Sequence, residues 1–377
     1  MTREHLVLII ARMYKEVERL SQLDFQDADK NNLRDDLSRF AQALHSLPRQ
    51  IVNTGNQEQI AHDAETITEW AHCLMNSYGI TINRELEYVV RLMAAHWGIT
   101  PTHNVLVFAH GDFAVRHLNK IDAIGINVLE KNLKQRFTKE PRIVFLPQLY
   151  DGDFLFSSIL FHEVGHMVER DNGLAEIIYP KISSLLLHKP NCKLINAYFK
   201  SIKESKTTTE TIIKSHIKEH IADLFGCQYL GNHILEYVKY RESSGRNVDR
   251  YDHPTYACRE RLIQSMVAYL QSPTHTTNDD YLNMVIDAFH NTNGIDDLCQ
   301  HYVIHPEANI EQGNPIIANT EEDLFSLFFV GWRVATKGLS IVEQHRGEPN
   351  GTLTYQRYYS LINDGIRDSI RAYMSMH

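Results

Sequence analysis

Cysteine is scarce in this 377-residue chain, and its placement excludes two classes of protein. Cys73, Cys192, Cys227, Cys258 and Cys299 are odd in number, scattered, and form no Cys-x-x-Cys. That pattern argues against a disulfide framework and against a cysteine-held zinc site, and it suits thiols in a reducing cytoplasm. Long apolar runs are also missing. The stretch from Leu6 to Ala11 follows Glu4 and meets Arg12, Lys15 and Glu16 at once, and no cleavage site follows it. It reads neither as a secretory signal nor as the ~20 apolar residues that cross a bilayer. A soluble cytoplasmic protein without membrane contact is the expectation. Basic runs are absent too, and a net charge of -9 leaves no footprint for nucleic acid. There is no internal repeat and no low-complexity tract.

What the chain does have is a core and an excess of histidine. Hydrophobic residues make up 43% and charged residues 23%, ordinary for a globular protein with a core, and the length allows about two to three domains or one large enzyme domain with additions. Histidine occurs 21 times, which raises the prior for a metal site. His103, His110 and His117 lie seven apart, but they straddle a predicted strand, turn and helix and so share no face.

Hydrophobic spacing predicts helices through most of the chain. Leu6, Ile9, Ile10, Met13, Val17 and Leu20 mark one, and Leu33, Leu37, Phe40, Ala41 and Leu44 a second. Further helices are expected over 57–78 and over 83–97 with Asn83 as N-cap. Val105 to Ala109 and Arg142 to Leu146 are short β-branched and aromatic runs that suit buried strands. Between them 121–137 reads as a helix. Helices are then expected over 154–170, 177–187, 209–227, 234–241 and onward from Pro254, with polar loops at 200–209 and 242–253. Three more, at 279–289, 321–341 and 355–374, close the chain.

One stretch carries chemistry: His162-Glu163-Val164-Gly165-His166. On a helix, residues four apart lie one above the other, so both imidazoles can reach one metal ion. Glu163 stands beside the ion as a general base rather than a third ligand. A catalytic zinc site needs a third protein ligand and an open position. The predicted helix after Thr209 offers Glu219-His220-Ile221-Ala222-Asp223, with Glu219 and Asp223 on one face. Glu219 is the favoured ligand, and His216 and His220 are the alternatives. Asp223 can accept the N–H of a ligating histidine and fix its tautomer. A solvated acidic face would explain the two carboxylates equally simply, but Ile217, Ile221, Leu224 and Phe225 draw this helix into the core, and Ala222 and Gly226 allow close packing.

His162-Glu163-x-x-His166 followed by Glu219-x-x-x-Asp223 resembles the gluzincin metallopeptidases. His253-Pro254, with Arg259 six residues after the histidine, looks like the His-Pro-x-x-x-x-Arg segment of the M48 family, in the same order along the chain. The resemblance covers roughly residues 140 to 265. It implies one Zn2+ per chain, hydrolysis of peptide bonds, and a strand beside the active helix that aligns the substrate, here Arg142 to Leu146. The chain departs from that family in lacking membrane spans, so it resembles a soluble relative.

The resulting expectation is a mainly α (α+β) protein. A zincin-like metallopeptidase core with a small sheet would occupy 101–275, between a helical N-terminal region (1–100) and a helical C-terminal region (276–377). Its activity would be zinc-dependent hydrolysis of a protein or peptide, with Glu163 as base. His253 would donate to the oxyanion, a hydrogen bond worth roughly 3 kcal/mol, and Tyr256 is the weaker candidate for that role. Arg259 would bind substrate backbone or hold an acidic group behind the ligands. The helical flanks would suit a regulatory protein partner. The alternative is a catalytically silent zinc-binding regulatory or scaffold protein, in which an intact Glu163 would have no purpose.

Overall fold

The strongest local signals are helix starts and stops. The computed structural model of the protein describes residues 3–25, 27–46, 57–78, 83–99, 103–110, 140–147, 152–204, 209–241, 253–272, 277–303 and 305–377. The expected helix over 121–137, the turn through Gly111, His117, and all but His253 of the 242–253 loop lie outside these residues.

The contacts divide the chain into two compact units. One comprises Met1–Glu87 with Thr100–Asp151, the other Tyr88–Ile99 with Gly152–His377. The first unit packs three helices, α1 (Arg3–Ser21), α2 (Ala28–His45) and α3 (Gln57–Tyr78). Their apolar stripes close on one core containing Leu6, Met13, Leu20, Leu37, Phe40, Ile60 and Leu74. Helix α4 (Arg84–His96) follows, opened by Asn83, whose side-chain oxygen accepts the N–H of Glu85 at 3.1 Å. Strands β1 (His103–His110) and β2 (Glu140–Pro147) pair in parallel as a two-stranded sheet, with Val107 opposite Val144.

That sheet corrects the expected fold. Both strands belong to the first unit, and the helix bearing His162 belongs to the second, in which every described element is helical. Among the described residues there is no zincin-like core with a small sheet around the site, and Arg142 to Leu146 is not part of the unit that holds it. The short β-branched and aromatic runs marked the extended chain of β1 and β2, but they could not say which unit that chain would join.

The second unit is arranged around a long helix buried on nearly all sides. The short α5 (Phe154–Ser157) is capped by Asp153, which accepts from the Phe156 N–H at 3.1 Å. After a break at 158–159 comes α6 (Leu160–Asn172), stopped by Gly173 in the left-handed conformation (φ 61°). The expected single helix over 154–170 is therefore two. Helix α7 (Leu174–His188) starts earlier than its hydrophobic pattern indicates, so Pro180 stands inside it rather than in its first turn. Helices α8 (Lys193–Tyr198) and α9 (Lys200–Glu204) occupy a stretch whose polar second half reads as loop.

The central helix α10 (Glu210–Leu230) is capped by Thr209, and His216, Ile217 and everything from Glu219 to Leu230 are buried. A helix with no wet face belongs in the middle of a core. It packs against α6, α7, α12 (Tyr256–Gln271) and α15 (Glu321–Lys337). A 3-10 turn at Gly231–His233 leads into α11 (Ile234–Arg241), and α13 (Asp280–His290) and the short α14 (Ala308–Glu311) complete the middle of the unit. Gly338 (φ 89°) separates α15 from α16 (Leu339–Arg346), where one helix was expected, and α17 (Tyr355–Met376) ends the chain. From α4, Trp97 donates its indole N–H to Tyr229 at 2.6 Å and tilts against Phe225, which ties the segment 88–99 to α10.

No single described helix is long and apolar enough to cross a membrane. The α15–α16 pair has the length and composition only when joined, is bent by 103°, and buries Leu324 to Trp332. None of the five cysteines is in a disulfide.

Candidate metal centre

The site begins with the periodicity of α6. Phe161, Val164 and Val168 are buried and fix the rotation of this helix. His162 and His166 then fall one turn apart on the same stripe, and their Nε2 atoms converge to 3.1 Å. Helix α10 supplies Glu219, whose two carboxylate oxygens each lie 3.6 Å from one of those nitrogens. One donor atom from each of the three residues falls within 4.8 Å of the others. Bonds of about 2.0–2.1 Å at tetrahedral angles place donor atoms about 3.3 Å apart, so the spacing fits one ion. The chemistry of the set agrees. Glu219 is 5% exposed, and its buried Oε2 accepts no hydrogen bond, an orphaned oxygen that an ion would satisfy. His162, His166 and Glu219 thus form a group that could hold a metal ion.

The helices can approach this closely because of Gly165. A Cβ there would stand 2.7 Å from Phe225 Cβ and 2.9 Å from the Ala222 Cα. No L side chain fits between α6 and α10 at that point. Sequence reasoning passed over Gly165, although a glycine inside an otherwise good helix, next to the motif histidine, is the signal that marks it.

Behind the ligands lies a buried chain of charge. Asp223, one turn beyond Glu219, places Oδ1 3.0 Å from His162 Nδ1. This fixes the tautomer that leaves Nε2 free to ligate. Arg259 of α12 grips Asp223 with two parallel hydrogen bonds, Nε to Oδ2 at 2.7 Å and Nη2 to Oδ1 at 2.6 Å. Arg259 is 3% exposed, and its guanidinium is committed in this way. Of the two roles read from sequence, this geometry matches the second, holding an acidic group.

His253 places Nε2 3.4 Å from Glu219 Oε1, and its side chain is 27% exposed. Together with His166, at 18%, it lines the more open side of the group. Glu163 follows His162 on α6 and is 1% exposed. The Tyr256 hydroxyl donates to Glu260 at 3.2 Å. The alternative ligands His216 and His220 stand outside the cluster. His220 is packed among Tyr198, Phe199 and Tyr281, with Nδ1 3.1 Å from the Tyr281 hydroxyl.

Electrostatics separates the two ligand histidines. Burial disfavours charge on His162, but the neighbouring Asp223 and Glu219 carboxylates outweigh it and lift its pKa to about 9. His166 lacks the Asp223 contact, and burial pushes it down to about 3. Burial would raise Glu219, yet the facing His253, His162 and His166 hold it well below the usual carboxylate range. Asp223 is likewise lowered: burial opposes its charge, and the Arg259 guanidinium wins.

No family model matches the chain, and neither a curated protein nor a solved structure is significantly similar to it.

Proposed function

We propose that this chain is a zinc-dependent metallopeptidase, a soluble M48-like gluzincin in its motifs, acting on a protein or peptide. The observation that carries the reading is the convergence of His162, His166 and Glu219 on one point, with a glutamate directly after the first ligand. Two neutral imidazoles and one carboxylate are the donor set of catalytic zinc sites that keep an open position.

A bound zinc ion would supply a Lewis acid and a water of lowered pKa. The remaining work falls to side chains. Glu163 takes the proton of the attacking water and returns it to the leaving amine nitrogen, so that one carboxylate serves as base and then acid. His253, at the open side of the group, donates to the oxyanion that forms on the scissile carbonyl. Asp223 holds His162 in its ligating tautomer, and Arg259 holds Asp223.

Elemental mass spectrometry of the purified protein should find about one zinc per chain. Glu163→Gln should keep that zinc and lose about 10²–10⁴-fold in peptide hydrolysis. A folded protein that takes up no metal would remove the proposal. Zinc retained by both forms, with no hydrolysis by either, would favour a silent metal-binding scaffold. The near-complete burial of Glu163 is the observation on that side.

A further inference from the structure

A base that hydrolyses peptides must meet both water and substrate, yet Glu163 is 1% exposed and His162 wholly buried. Both carboxylate oxygens of Glu163 are out of reach of solvent. Resting on the metallopeptidase reading, we propose that this structure is the closed state of the site, and that α11 (Ile234–Arg241) is the cover that must lift to admit substrate.

The covering contacts can be followed along α6. Ile159 stands one turn before Glu163, and its carbonyl accepts the Glu163 N–H at 3.1 Å. The two side chains therefore share a face. Ile159 packs with Tyr237 and Val238 of α11, and Tyr256 leans on the same group. Tyr237 also lies near enough to the Arg259 guanidinium to act on it electrostatically. So α11 reaches from the Glu163 face of α6 to the residue that holds Asp223.

Helix α11 has only eight residues. Four of its residues, Ile234, Leu235, Tyr237 and Val238, are buried, and the last two form a small cluster with Ile159. Helix α10, by contrast, is 21 residues long, is buried along most of its length, and packs on α6, α7, α12 and α15 as well as on α11. Small satellite clusters open at lower free energy than the core that supports them. The joint is also in place. Gly231, between α10 and α11, has φ 55° and ψ -137°, a backbone conformation suited to glycine. A glycine at the end of an element is where a hinge can take up a change in backbone angle.

The test uses the full-length zinc-loaded protein and two readouts that need no turnover. Amide exchange in the wild type should be faster in 234–241 than in 216–230. Zinc loss to excess chelator should be about tenfold faster in Val238→Ala than in the wild type, because the lost methyl groups loosen the closed state. A peptidyl hydroxamate bound at the zinc should raise exchange in 234–241 further, since it occupies the place the cover must leave. Equal exchange in the two segments would overturn the cover, as would unchanged zinc release from a folded Val238→Ala. If peptides are cleaved while those two readouts stay flat, the peptidase stands and the cover falls. If both readouts respond and no peptide is cleaved, the opening stands and the peptidase falls.

Discussion

His162 is pulled in two directions: burial favours the neutral ring, and Asp223 and Glu219 favour the charged one. The carboxylates win, so in the metal-free protein its pKa of about 9 exceeds the ordinary 6.5. The stability from that protonated ring is fully present below pH 6.5 and is lost as pH rises through 9. A metal ligand must be neutral, so ion binding expels this proton across the same window. We expect about one proton released per zinc at pH 7.5, and an affinity that climbs about tenfold per pH unit before levelling near pH 9. Calorimetry in buffers of different ionisation enthalpy measures the release, and none detected would mean that His162 is already neutral. Asp223 bears on the same ring from behind. Asp223→Asn should weaken zinc binding 10–100-fold through loss of the hold on His162. It should also destabilise the fold by about 3–5 kcal/mol, since it strands a buried guanidinium. Metal titration and denaturant unfolding separate the two effects. Arg259→Lys should not rescue, because an ammonium cannot make the two parallel bonds.

The decisive element pair is α6 with α10. Their contact depends on Gly165, where an added methyl group meets the Ala222 backbone at 2.9 Å. Gly165→Ala should therefore cost about 1–3 kcal/mol and prise Glu219 away from the histidines, lowering zinc affinity together with stability. Gly331 of α15 is the comparison. A Cβ there meets Ile366 Cδ1 at 2.6 Å and Leu155 Cδ2 at 3.2 Å, both ends of flexible side chains. Gly331→Ala should be milder and leave zinc affinity alone. Denaturation midpoints and zinc titrations of the two variants test the contrast, and equal zinc affinity would mean the helix spacing does not set the site.

At the scale of the molecule, the metal group lies wholly inside the second unit. An ion that binds only the folded form stabilises that unit by about 2.7 kcal/mol at one hundred times its dissociation constant. Two thermal transitions are expected, and chelation should lower one and leave the other in place. Segment 88–99 precedes most of the first unit's remainder in sequence yet packs with the second. Removing residues 1–151 would take Trp97 from Tyr229 and Phe225, so the fragment 152–377 should be less stable than the same unit in the full chain. Trp97→Ala in the full chain should reproduce much of that loss, about 3–5 kcal/mol. Equal stability of the fragment and the intact unit would show that 88–99 is dispensable.

Sequence alone determined what depends on neighbours along the chain. The four-residue spacings of His162 with His166 and of Glu219 with Asp223 are properties of any helix, so the residues of a group that could hold a metal ion, and the carboxylate behind it, were legible before any packing was known. So were the cap at Thr209 and the stop at Gly173, because capping is local chemistry. The tertiary structure decided what depends on residues distant in sequence. It placed the strand pair in the other unit and left every described element of the unit that holds the site helical. It committed Arg259 to Asp223, packed Tyr237 and Val238 on Ile159, and joined 88–99 to the second unit. Periodicity says which side of a helix is apolar and is silent on what that side will meet. Only the fold brought Gly165 against Ala222, and with that contact three separated side chains came within reach of one ion.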